Sequence, residues 1–185
     1  MDILISGGIF LQKPIRLITE TGVLLALLVT LQALTKPAGQ LVTGSCVNLI
    51  LALGAMLCGV WSGAALALIS PFLAYLLGVG PQLFPIVPAI ALGNVVYAAL
   101  LARLCAGPAL RPARRLAGAA LSAAAKFLTL YLVIVRLLCS LLPLAPAQLA
   151  AFSVMFSWPQ LFTALIGAGA ALLLAPVLQK ALRRS

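Results

Sequence analysis

The stretch Ser122–Leu137, SAAAKFLTLYLVIVRL, decides how this chain is read. It is apolar enough to lie in a bilayer, yet it carries Lys126 and Arg136. Runs of the same character recur between short Pro/Gly breaks, and a span needs roughly 20 apolar residues at about 1.5 Å rise each. The 185 residues are 64% hydrophobic and only 8% charged, with a mean hydropathy of +1.24. Soluble domains are about a quarter charged, so composition specifies an integral membrane protein. The runs lack the period-two alternation of outer-membrane strands, which makes the spans helices.

The breaks TKPAGQ, GVWSG, GVGPQLFP and AGPALRPARR, with a longer apolar connection from Ser140 to Ser157, divide the chain into six expected transmembrane helices in one compact all-α bundle. They cover about residues 17–35, 41–60, 61–79, 85–104, 116–139 and 158–178, within a single transmembrane domain over 1–185. Residues 1–16 are expected to be cytoplasmic or interfacial. The run after Lys13 and Arg16 exceeds the roughly 7 to 15 residues of a signal-peptide core, so the first span is expected to stay in the mature protein. Lys13, Arg16, Arg103, Arg111, Arg114, Arg115, Lys180, Arg183 and Arg184 all fall on one side of this topology, and Lys36 alone lies in a loop on the other. Basic loops stay inside; both termini are therefore expected in the cytoplasm. The net charge of +10 sits at membrane edges without interleaved aromatics, which suits anionic headgroups and not nucleic acid.

Much chemistry is excluded. There is no His, and Asp2 and Glu20 are the only carboxylates, so neither a paired acid and base nor a Ser-His-Asp arrangement can form. No phosphate-binding glycine loop with Lys and Ser/Thr appears, so ATP cannot be hydrolysed by that route. Cys46, Cys58, Cys105 and Cys139 show no C-x-x-C spacing and read as small buried apolar side chains; neither a metal nor a cofactor is expected. Glu20 reads as structural, at the favourable N-terminal end of the first span.

A Lys or Arg at a helix centre costs roughly 2.5 to 3.5 kcal/mol on insertion scales, and so marks function by default. Lys126 falls near the midplane and Arg136 about 15 Å further out by helical rise. Lys126, Thr129, Val133 and Arg136 share one drifting face at spacings of 3, 4 and 3. Arg136 can equally snorkel to the outer interface. The other polar residues cluster in the same outer half: Gln40, Thr43 and Asn48 on the second span, Tyr75 and Gln82 flanking the third, and Asn94 and Tyr97 on one face of the fourth. FSWPQLFT opens the last span with Trp158, Gln160 and Thr163 behind a helix-starting Pro159. Each alone can bond or pack against a neighbouring helix; jointly they read as a cavity open to the outside for a small water-soluble solute. A carboxylate or other anionic group on that solute would pair with a charged Lys126; desolvation can equally leave the lysine neutral, and the same groups suit a neutral heterocycle stacked on Trp158. Gly22, Ala26 and Thr30, spaced four apart, form a small-residue stripe on the first span, suited to close approach of a helix of this chain or of a partner.

The hairpin TKPAGQLVTGSCVNLIL, with PQLFPIVPAIALGNVVYAALL, AAAKFLTLYLVIV and FSWPQLFTALIGAG, resembles the S components of energy-coupling factor (ECF) transporters over most of the chain. The resemblance implies a substrate-capture subunit for a vitamin-like micronutrient in a bacterial cell membrane. It implies as partners a membrane T coupling subunit and two ABC-type ATPases, which supply the energy source missing here. It further implies that TKPAGQLVTG gates the pocket, that Asn94, Lys126, Trp158 and Gln160 line it, and that Gly22 and Ala26 touch the T subunit. Family members often carry Ala-x-x-x-Ala there; Gly22 replaces the first alanine. Two other readings stand beside this one, a stand-alone small-solute carrier and a non-transport membrane scaffold.

Overall fold

The computed structural model describes the backbone of residues 3–107 and 110–182 and the side chains of residues 15–107 and 110–181. The orientation markers Lys13, Arg183 and Arg184 lie outside the described side chains. Among the described residues every regular element is helical. The first helix, α1, runs from Ile3 to Thr35 and absorbs the segment expected at the interface into one continuous rod. It stops where Lys36–Ala38, with Pro37, tightens into a 3-10 turn. Helix α2 (Gln40–Leu57) and helix α3 (Val60–Leu76) are separated by Cys58 and Gly59 alone. Gly59 has φ +90°, a left-handed conformation that residues with a Cβ avoid, and this lets the chain reverse in so short a space.

A 3-10 turn at Phe84–Ile86 leads into α4 (Val87–Leu104), and Pro112 occupies the first turn of α5 (Pro112–Leu130). Helix α5 continues without a break into a π-helical segment, Tyr131–Leu138, and a last turn, α6 (Cys139–Leu141). The apolar stretch after it was expected to be a connection. It holds a helix of its own, α7 (Pro146–Met155), started by Pro146 and by the Ala145 N–H donating to Gln148 Oε1 at 3.2 Å. The last helix, α8, spans Trp158–Leu182. Five helical stretches are long and apolar enough to cross a membrane, and α3 is a shorter apolar helix of 17 residues.

Helix α2 lies in the middle, against α1, α3, α4 and α8, and every residue from Ile50 to Met56 is buried. Helix α1 is peripheral: Leu28 is its one fully buried described side chain. Leu68, Leu121, Leu132, Phe162 and Leu173 point outward and are mostly exposed. An apolar exterior around a core rich in Ala and Gly is the pattern of helices that pack closely inside lipid. Glu20 is held by Arg16, with Nε donating to Oε1 at 2.7 Å, at the end of the bundle where α2 turns into α3. Thr21 donates to Ser62 there, at 2.7 Å, and joins α1 to α3.

Candidate functional site

At the opposite end, where the α1–α2 and α3–α4 connections lie, the helices surround a cavity of ≈ 330 Å³. Its floor is polar and buried. Lys126 of α5, Asn48 of α2 and Asn94 of α4 line it and are 3%, 1% and 3% exposed. Lys126 Nζ donates to Asn48 Oδ1 at 2.5 Å and stands 5.3 Å from the centre of the Tyr97 ring. Asn48 Nδ2 donates to Thr163 Oγ1 at 3.1 Å, and that hydroxyl donates to the Gln160 carbonyl at 3.2 Å. This relay settles the Asn48 amide with its oxygen toward the lysine. Asn48 takes one of the lysine's N–H donors, and the Tyr97 face lies beside the amine without using up the rest.

Among the described residues no carboxylate lines the cavity, and Glu20 is bonded at the far end of the bundle. An anion arriving in the cavity therefore meets donors on its floor and no like charge. Higher on the walls, Gln32 of α1, Thr43 of α2 and Ser70 of α3 also line the cavity. Gln32 Oε1, Thr43 Oγ1 and Ser70 Oγ are buried without a hydrogen-bond partner among the described residues. Buried polar atoms are nearly always paired, so three unmatched groups around one cavity mark a wall that a bound molecule or water completes. Val47, Pro71, Ala74, Ile90 and Phe156 supply its apolar surface.

The rim is tied together by side chains. Gln40 Nε2 and Gln160 Nε2 both donate to the Met155 carbonyl, at 2.7 and 3.2 Å, which fixes the end of α7 between the starts of α2 and α8. Lys36 Nζ donates to the Gly78 carbonyl at 2.6 Å and so links the α1–α2 connection to the one after α3.

Of the residues expected at the site, Gln40, Thr43, Asn48, Asn94, Lys126 and Gln160 come together around the cavity. Tyr97 lies beneath its floor, where the hydroxyl donates to the Ala164 carbonyl at 2.8 Å. The others lie apart from the lining. The Tyr75 ring packs edge-on against Phe84, exposed Gln82 bonds the Gly80 carbonyl, and Thr129 bonds the Ala125 carbonyl of its own helix. Arg136 is exposed within the π-helical segment, and Trp158 is 63% exposed and stacked on Phe127 at 5.5 Å. Gln32, Lys36, Ser70, Met155 and Phe156 join the cavity without having been singled out for it. Gln32 and Ser70 carried a readable signal, being polar residues inside apolar helices. Gly22 and Ala26 are exposed on the outer face of α1, and a Cβ at Gly22 would meet nothing within 4 Å. Among the described residues no group of three or more His, Cys, Asp or Glu could hold a metal ion, and the four cysteines are free.

The fold and the cavity define a multi-pass helical membrane protein with a ligand-sized pocket at one end, floored by a buried lysine. The chain belongs to the family of substrate-specific components of ECF transporters, whose model matches residues 16–179. No curated protein and no solved structure matches the chain.

Proposed function

We propose that this chain captures a small, water-soluble, vitamin-like organic anion from outside a bacterial cell and delivers it to an ATP-driven ECF importer. The observation that carries this reading is buried Lys126, hydrogen-bonded to Asn48 on the floor of a cavity that no carboxylate lines among the described residues. Membership of the family supports a solute-binding role for the cavity. In this reading the chain is one domain of six membrane crossings with both termini in the cytoplasm. Helix α7 is a short segment at the outer rim, and the Lys36 end faces outward. Arg16, Arg103, Arg111, Arg114, Arg115 and Lys180 then fall on the cytoplasmic side. Since the chain has no nucleotide-binding loop, transport draws on a T subunit and two ATPases, and Gly22 and Ala26 are its contact with the T subunit.

The test is mass spectrometry of small molecules retained by the purified full chain, followed by affinity measurement on Lys126→Gln. We expect a retained anionic solute whose affinity falls at least tenfold in the variant. Unchanged affinity removes Lys126 from the site. Uptake that persists in cells lacking the T subunit and the ATPases would instead mean a stand-alone carrier.

A further inference from the structure

The polar groups of the cavity are arranged in tiers. Lys36 and Gln40 stand at the rim, Gln32 lies one turn below Lys36, about 6 Å by helical rise, and Thr43 lies about 4.5 Å below Gln40. On the same measure Asn48 is about 12 Å below Gln40, and Asn94 about 10 Å below the start of α4. Lys126, bonded to Asn48, belongs to that deepest tier. The floor thus offers N–H donors, and about 6 Å above it the wall offers the acceptor Gln32 Oε1 and the hydroxyl of Thr43, neither with a partner among the described residues. The volume of ≈ 330 Å³ lies within the range of small-molecule sites.

We infer that the solute is an organic anion seated anion-first on Lys126 and donating a neutral hydroxyl or amide hydrogen to Gln32 Oε1, about 6 Å nearer the rim by helical rise. This rests on the capture reading above and narrows it. A carboxylate satisfies the N–H groups that Lys126 still has free. A neutral donor satisfies Gln32 Oε1, which only an N–H or O–H can do. The apolar surface of Val47, Pro71 and Phe156 then takes the carbon frame between the two ends. Cationic solutes meet Lys126.

The experiment combines identification of retained solutes with calorimetric titration of the solute-stripped full chain, using 5-hydroxypentanoate, pentanoate and 5-hydroxypentanamide as probes. We expect 5-hydroxypentanoate to bind at least tenfold more tightly than either of the others. Gln32→Leu, or Gln32→Met if the first does not fold, should bring the hydroxylated and plain acids to equal affinity. Equal affinity of the native chain for the two acids overturns the inference, as does binding of the amide as tightly as the acid. A retained cationic solute overturns it and leaves solute capture standing. A folded chain that retains no solute and binds none of the three probes overturns both.

Discussion

A Cβ placed on Gly167 would stand 2.6 Å from Asn48 Cβ and 2.7 Å from the Asn48 carbonyl carbon. Helix α8 can therefore cross α2 this closely only because position 167 has no side chain, and the crossing holds Asn48 level with Lys126. Gly167→Ala should push the helices apart, at a cost typical of overpacking, about 1–3 kcal/mol. It should also weaken solute binding by moving Asn48 off the ammonium. Gly169→Ala is the control, since a Cβ there meets nothing within 4 Å. Melting temperature and solute affinity, measured together, should both fall in the first variant and hold in the second.

The Lys126–Asn48 pair separates stability from function. Asn48→Leu strands a buried ammonium without its acceptor, which should cost about 2–3 kcal/mol. Adding Lys126→Met removes the stranded group, and replacing both members of a buried polar pair by apolar residues is often near neutral. The double variant should regain most of the lost melting temperature and still bind no anionic solute. Restored binding in the double variant would mean that the cation is not what the solute meets.

Trp158 and Phe156 lie two residues apart and should behave oppositely. Trp158 is 63% exposed and stacked on Phe127, whereas Phe156 is 2% exposed and lines the cavity. Trp158→Ala should lower stability by about 1 kcal/mol, the worth of an aromatic pair, and change solute affinity by less than about twofold. Phe156→Ala should cost about 3–5 kcal/mol and weaken binding clearly. Affinity and thermal melting on the two variants check the contrast.

These contrasts show where the sequence was legible. Hydropathy and Pro/Gly breaks locate a residue along the bilayer normal, so the depth of Lys126, Asn48 and Asn94 could be read from spacing. They do not fix azimuth. Trp158 shares the depth of Gln160 yet turns outward onto Phe127. The face drawn from Lys126 to Arg136 assumed α-helical turns throughout, but the chain turns π-helical from Tyr131. Each residue there advances by a smaller angle, and Arg136 lies exposed instead of above Lys126. Met155 and Phe156 reach the cavity because Pro146 starts a helix in a stretch whose apolar residues carry no polar mark. The length of α1 was hidden for a related reason: Ile3–Thr35 is one helix although the segment before Lys13 is too short to span by itself.

The outer face of α1 gives the last prediction. Gly22 and Ala26 are exposed there beside Ile18 and Val23, which are 71% and 63% exposed, and the cavity lining begins two turns further along α1, at Gln32. A side chain at position 22 meets open space, so Gly22→Leu has no neighbour within this chain to displace. It should leave the melting temperature within about 0.5 kcal/mol of stability, as surface changes do, and leave solute affinity of the isolated chain unchanged. If the stripe is where the T subunit packs, a leucine holds the two backbones apart, because close helix approach in lipid depends on small residues. Uptake by the assembled transporter should then fall by tenfold or more while capture persists. Loss of capture together with uptake would mean that Gly22 supports the fold, and full uptake would place the partner on another face.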